Sequence, residues 1–349
     1  YSSVGQLYEP QDADQVMFYK EQKDGQILEE GINEAGSFSS WIASGTSYST
    51  TGIQTIPFYI FYSMFGFQRI GDLAWAAGDS RTRGFLLGAT AGRTTLNGEG
   101  LQHEDGHSHL LSATIPNCVS YDPCFAYELA VIIQNGLYRM IENQEDVYYY
   151  ITIMNENYSH PDMPKGVEDQ IIKGMYQYSK ASGKAKNKVQ LMGSGVILRE
   201  VIEAAQLLES DWGVDSDVWS VTSFTELRRN ALDVERHNLL NPDDEQRSFI
   251  QEQITDSESP IIASTDYMKS FSDQIANFIP NSFTSLGTDG FGRSDSREAL
   301  RSFFEVDRYY VVLAALKALK DQGKIDKKVM SEAIKKYNIN PSKVNPALS

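Results

Sequence analysis

Cysteine is almost missing from this chain, with Cys118 and Cys124 the only two in 349 residues. Two thiols cannot build a disulfide framework, and their spacing fits neither a metal site nor a redox pair, so a reducing, cytoplasmic home is expected. They read as small loop residues. Long apolar runs are missing as well: no stretch approaches the roughly 18 apolar residues that span a bilayer, and the N-terminus has neither a basic start nor an apolar signal core. Positive charge is scarce, with 31 Lys and Arg against 47 Asp and Glu and a formal net charge of -16. Such a surface repels a phosphate backbone and an anionic membrane at long range, which argues against both as partners. An initiator Met is also missing. Tyr1 opens a polar stretch, and the chain reads as a piece of something longer.

What is present is the composition of a globular protein. A hydrophobic content of 41% over this length suffices for about two domains, each with its own core. Ile56–Phe61, Phe85–Leu87 and Val147–Met154 read as short buried strands. Between the first two, apolar residues recur at helical steps from Arg69 to Gly84. Asp122-Pro123 looks like a capping carboxylate followed by a first-turn proline, with Ala126, Leu129, Ile133, Leu137 and Met140 as the buried stripe of the helix it would start. From His160 to Lys188 the pattern loosens around Pro161, Pro164 and Gly166, which places a linker there and a boundary near Pro164. Beyond it, strands at Val189–Met192, Val218–Val221, Ile261–Ser264 and Phe283–Leu286 alternate with helices at Ile197–Leu208 and Met268–Phe278. Helices at Arg297–Phe304, Tyr309–Leu319 and Lys328–Lys336 follow. The expectation is α/β: two domains, 1–163 and 164–349, each a mostly parallel sheet flanked by helices.

Three of the five histidines fall between Thr90 and His109 (TAGRTTLNGEGLQHEDGHSH), beside Glu99, Glu104 and Asp105. Imidazoles titrate near neutrality and neighbouring carboxylates set their charge, so the cluster points to proton transfer. His103 to His107 also spells H-E-x-x-H, the string of helical zinc hydrolases. That motif needs a helix, and Gly98, Gly100 and Gly106 each cost roughly 1 kcal/mol inside one. The zinc site and a plain solvated loop stand as the alternatives. Gly193-Ser194-Gly195 reads as a tight strand-to-helix turn or, less readily, an anion cradle. Thr288–Ser296 reads as a structured loop before a helix capped by Ser294 or Asp295.

Gly31-Ile32-Asn33-Glu34, Ile56–Gly71 (IPFYIFYSMFGFQRIG), Thr94–His109, Asn155–Tyr158 (NENY) and Gly287–Asp295 (GTDGFGRSD) together resemble the homodimeric bacterial pyruvate dehydrogenase E1 family. The resemblance runs the whole length and implies a transketolase-like pyrimidine-binding domain, N-terminally incomplete, followed by a transketolase C-terminal-like domain. It implies thiamin diphosphate as cofactor, with its diphosphate and Mg²⁺ ligands in a domain outside this chain. Glu34 matches the glutamate that hydrogen-bonds the aminopyrimidine, Phe65 the stacking aromatic and Tyr62 the adjoining hydroxyl. A glutamate in an apolar pocket would have its pKa raised and could share a proton with a ring nitrogen. His103 with Glu99 resembles the acid and base groups, while His107 and His109 would support the loop. His160 and His237 would be linker and surface residues. The implied reaction is oxidative decarboxylation of pyruvate with reductive acetylation of the lipoyl domain of the E2 dihydrolipoamide acetyltransferase, in a homodimer. Transketolase, 2-oxoglutarate dehydrogenase and a non-catalytic dimerisation or docking piece are the other readings.

Overall fold

A computed structural model describes residues 1–9, 11 and 20–349. Two sheets organise them. The first contains β1 (Phe58–Phe61), β2 (Phe85–Ala89), β3 (Cys118–Tyr121) and β4 (Tyr148–Ile153), all parallel, in the order β1-β2-β4-β3. Its central strand is aromatic. Tyr148, Tyr149 and Tyr150 are wholly buried, and each hydroxyl finds a partner, on Ala74 O (3.0 Å), Asn135 Oδ1 (3.3 Å) and Ser108 Oγ (2.8 Å) respectively. Buried tyrosines require such partners, and here helices on both faces supply them. Those helices are α1 (Glu34–Gly45), α2 (Ser47–Thr51), α3 (Phe67–Asp79), α4 (Ser108–Ser112), α5 (Ala126–Leu137) and α6 (Glu168–Lys173).

The second sheet holds β5 (Met175–Ser179), β6 (Asn187–Gly193), β7 (Val214–Val221), β8 (Ile261–Ser264) and β9 (Phe283–Leu286), in the order β5-β7-β6-β8-β9. Only β5 runs antiparallel. Its helices are α7 (Ile197–Trp212), α8 (Phe224–Leu240), α9 (Phe249–Gln253), α10 (Ser270–Asp273), α11 (Arg297–Phe304), α12 (Arg308–Asp321) and α13 (Lys327–Lys336).

Several expected elements need correction. The region read as a linker contains α6 and β5. The long α8 was missed because few of its positions are apolar, although Ser223 accepts the Glu226 N–H and marks its start. Met268–Phe278 is not one helix but α10 and a 3-10 turn. Ser296, rather than Ser294 or Asp295, caps α11. Asp122 caps nothing. Helix α5 is capped from within by Glu128, whose Oε2 accepts the N–H groups of Cys124 and Phe125 at 2.6 and 3.0 Å. Nor are the cysteines simple loop residues: Cys118 opens β3, Cys124 precedes α5, and both are buried thiols.

Asp122 instead belongs to a polar seam between the sheets. Its carboxylate accepts the hydroxyls of Thr152 (2.7 Å) and Ser194 (2.9 Å), and its backbone bonds Thr222 and Gly195. The Gly193–Gly195 turn therefore docks an internal carboxyl group. Asp266 does the converse from the second sheet, accepting the backbone N–H and hydroxyl of Thr94 and of Thr95 at 2.6 to 3.2 Å. Burial pushes the Asp122 carboxyl up to about 7, against the lowering effect of its two hydroxyl donors, and raises those of Asp266 and Glu128.

Candidate active site

The side chains singled out in the sequence meet at the C-terminal end of β1. Ligands of open α/β sheets bind beyond the carboxyl ends of the strands. Immediately after β1, Ser63–Phe65 forms a 3-10 turn anchored by the buried Ser63 hydroxyl on Thr90 O (3.1 Å). The turn leaves Tyr62 half-exposed, with its ring 6.2 Å from that of Phe65.

Glu34 comes from another direction. Gly31 adopts φ +67, Asn33 accepts the Gly36 N–H at 3.2 Å, and α1 begins at Glu34, where the helix dipole favours a carboxylate. Buried Phe38 and Trp41 hold α1 against the first sheet. Arg69, in the first turn of α3, links the two groups: its guanidinium lies 4.2 Å over the Phe65 ring and donates to Glu34 Oε1 at 2.8 Å. The apolar pocket expected around Glu34 is thus replaced by an ion pair. Arg69 is the lone cation of the IPFYIFYSMFGFQRIG run, four residues after Phe65, and that was the signal available for its role.

His103 completes the group. It ends the 3-10 turn Leu101–His103, with its ring 5.0 Å from Phe65 and 5.6 Å from Tyr62. Its Nδ1 lies 3.9 Å from Glu99 Oε2, an ion-pair distance when the imidazole is protonated but too long for a hydrogen bond. Glu34, Tyr62, Phe65, Glu99 and His103 therefore share one face.

The other histidines separate from it. His107 Nε2 meets Gln68 Oε1 at 2.5 Å. His109 is buried between Phe271 (ring centroids 4.8 Å, stacked) and Tyr150, with Nε2 2.9 Å from Thr152 Oγ1, and burial pushes its pKa down to about 4. His103 ends one turn and His107 precedes α4, so the two imidazoles do not share a helix face and the H-E-x-x-H reading loses its geometry. His237 lies on the surface on Asp244 O (3.0 Å). His160 is more than a linker residue, since its Nδ1 accepts the first N–H of α5 at 3.0 Å. Glu104 and Arg93, unassigned from sequence, lie directly behind His103. Burial raises the Glu104 carboxyl to about 7, against the lowering effects of the Arg293 N–H and the Arg93 charge.

Two consecutive α/β sheets with a candidate site at the end of the first define the class: a transketolase-like protein. The transketolase of Leishmania mexicana superposes with a TM-score of 0.63 at 16% identity, over 83% of this chain and 37% of that one. Residues 174–307 match the transketolase-like TK C-terminal domain, and residues 1–161 match the pyruvate dehydrogenase E1 component middle domain. The chain belongs to the pyruvate dehydrogenase E1 component family. It is 66% identical over 348 residues to that component of Pseudomonas aeruginosa, covering 99% of this chain and 40% of the relative. With that of Escherichia coli K12 it shares 60% over 352 residues, covering 100% and 39%. The chain thus spans about 40% of the length of the curated relatives it matches.

Proposed function

We propose that this chain supplies the aminopyrimidine-facing side of a thiamin diphosphate site, with an acid-base histidine, to a pyruvate dehydrogenase E1 component. The reaction is the oxidative decarboxylation of pyruvate with reductive acetylation of the lipoyl group of E2. The observation that carries this reading is the convergence of Glu34, Tyr62, Phe65, Glu99 and His103 from separate segments onto one face. The likeness to transketolases stands at 16 to 17% identity and speaks for fold alone.

The residues suit the cofactor. Half-exposed Tyr62 and the neighbouring Phe65 offer ring faces to a pyrimidine, and Glu34 offers a carboxyl group to a ring nitrogen. When bound, thiamin diphosphate supplies the electron sink for loss of CO₂. Arg69 engages Glu34 Oε1 alone, which orients the carboxyl group and leaves its other oxygen for a ring nitrogen. Reductive acetylation opens the lipoyl disulfide, acetylating one sulfur and releasing the other as a thiolate that needs a proton. His103, 3.9 Å from Glu99, is placed to supply it. The ligands of Mg²⁺ and diphosphate come from outside this chain. Ile32 (95% exposed) precedes Glu34 by two residues, Phe291 (78% exposed) precedes Gly292, which meets Leu101 O, and both suit cover by a second protomer. A cytoplasmic location accords with the free thiols.

In the full-length enzyme Glu34→Gln should lower pyruvate turnover on the order of 10² to 10⁴-fold with the fold intact by circular dichroism. Unchanged turnover would remove Glu34 from the pyrimidine side and overturn the reading.

A further inference from the structure

No hydrogen bond at Nδ1 fixes the imidazole of His103. That atom is buried 3.9 Å from Glu99 Oε2, the ring meets Phe65 edge-on and Tyr62 at a tilt, and the backbone N–H closes only the local turn on Gly100 O (2.9 Å). The next residue is anchored differently. Glu104 is wholly buried and points into the second half of the chain, where its Oε2 accepts the backbone N–H of Arg293 at 2.6 Å. Its Oε1 has no partner.

The loop carrying Arg293 interlocks with the histidine loop along its length. Arg93 donates to Glu104 O (3.4 Å), to Thr288 O (2.6 Å) and to Gly290 O, so one buried cation ties carbonyls of both loops. Gly106 O accepts the Met268 N–H at 2.8 Å. At Gly292 a Cβ would stand 2.6 Å from Leu101 O and 3.0 Å from Glu104 Cβ. The two backbones touch there because residue 292 has no side chain.

We infer that Glu104 is a positioning residue for the reaction, its carboxyl group latched to the Arg293 N–H so that the second half of the chain holds the His103 imidazole against Phe65. The inference rests on the acid-base role proposed for His103. Its physical basis is that a reacting group misplaced by about 1 Å can cost on the order of 10²-fold in rate, and no hydrogen bond at Nδ1 holds the His103 imidazole in place. Glutamine keeps an acceptor oxygen for the Arg293 N–H; alanine keeps none.

The test uses the full-length enzyme assembled with E2. Glu104→Ala should lower kcat of the lipoyl-dependent reaction by about 10- to 100-fold while KM for pyruvate stays within about twofold. Glu104→Gln should recover most of the rate. Combined with His103→Ala, Glu104→Ala should add nothing, because the group it positions is gone. Gly292→Ala pushes on the latch from the opposite loop and should reproduce the kcat loss and its dependence on His103, which keeps the question open to experiment if Glu104→Ala does not fold. Wild-type kcat in Glu104→Ala, or in Gly292→Ala where the former cannot be made, overturns the inference. Losses that multiply in the double variant beside an impaired His103→Ala overturn the latch alone. A His103→Ala enzyme with wild-type rates overturns both the latch and the role of His103.

Discussion

The site face and the seam between the sheets use the same residue types to opposite ends. At the face, Glu34, Arg69, Glu99 and His103 sit partly in solvent with one partner each. In the seam, Asp122, Asp266, Glu128 and His109 are buried, hydrogen-bonded and displaced in their ionisation by desolvation. Apart from Glu104 behind His103, the raised carboxylates of the contrast lie in the seam, although such groups often mark functional sites. Structural networks displace pKa values just as strongly when they join two sheets.

If that contrast holds, the seam carries stability and the face does not. The largest effect should come from Asp266→Ala, which orphans two backbone N–H groups and two hydroxyls. About 4 kcal/mol of unfolding free energy should be lost, read by chemical denaturation. A loss below about 1 kcal/mol would dissolve the contrast. Next is a pH dependence. Folded Asp122 keeps its proton to about 7 while the unfolded group loses it near 3.8, so between those values the folded chain binds more protons and stability falls as pH rises. His109 acts in reverse: held down to about 4, it stays neutral when folded while the unfolded imidazole protonates below 6.5, so stability rises with pH across that window. The two slopes offset each other. Asp122→Asn removes one, and stability should then rise with pH more steeply than in the wild type, by about 1 kcal/mol per unit between roughly pH 4 and 6.5. Parallel profiles for variant and wild type would show that Asp122 is not protonated in the fold. His107→Ala should cost about 1 kcal/mol through the lost Gln68 contact, seen as a small drop in Tm with both half-reactions slowed alike. The smallest change belongs to the face: Glu34→Gln breaks the pair with Arg69 and should shift stability by less than about 1 kcal/mol, whatever it does to turnover. A larger shift would make Glu34 structural.

Much of the fold was legible because the strands are short apolar runs flanked by helical periods. Val147–Met154 and Val189–Met192 lie where β4 and β6 form. What failed depended on distant partners. Cys118–Tyr121 is only four residues, all buried, and packs against the sequence-distant α8 as well as its neighbour α4. Asp122 before a proline has the local chemistry of a cap, yet the seam outbids the helix with two hydroxyl donors, and Glu128 does the capping. Glu34, Tyr62 and Phe65 came from resemblance alone, Glu99 and His103 also from the histidine cluster, and no spacing rule brings the five together. Arg69, Arg93 and Glu104 act on groups far along the chain and left no periodic trace.

The seam has a consequence for motion. Hydroxyls and carboxylates this deeply buried cannot slide past one another, since an intermediate position would leave donors and acceptors dry and unpaired. Residues 154–174 cross this joint, and α6 near their end is fastened to both sheets, by the Tyr121 hydroxyl on Ile172 O (2.7 Å) and the Thr222 hydroxyl on Ile171 O (2.6 Å). Hinge bending between the two sheets has no low-energy path. Any closure around a bound molecule has to come from outside the joint, at the half-exposed side chains of the site face such as Tyr62, while the joint beneath them stays locked.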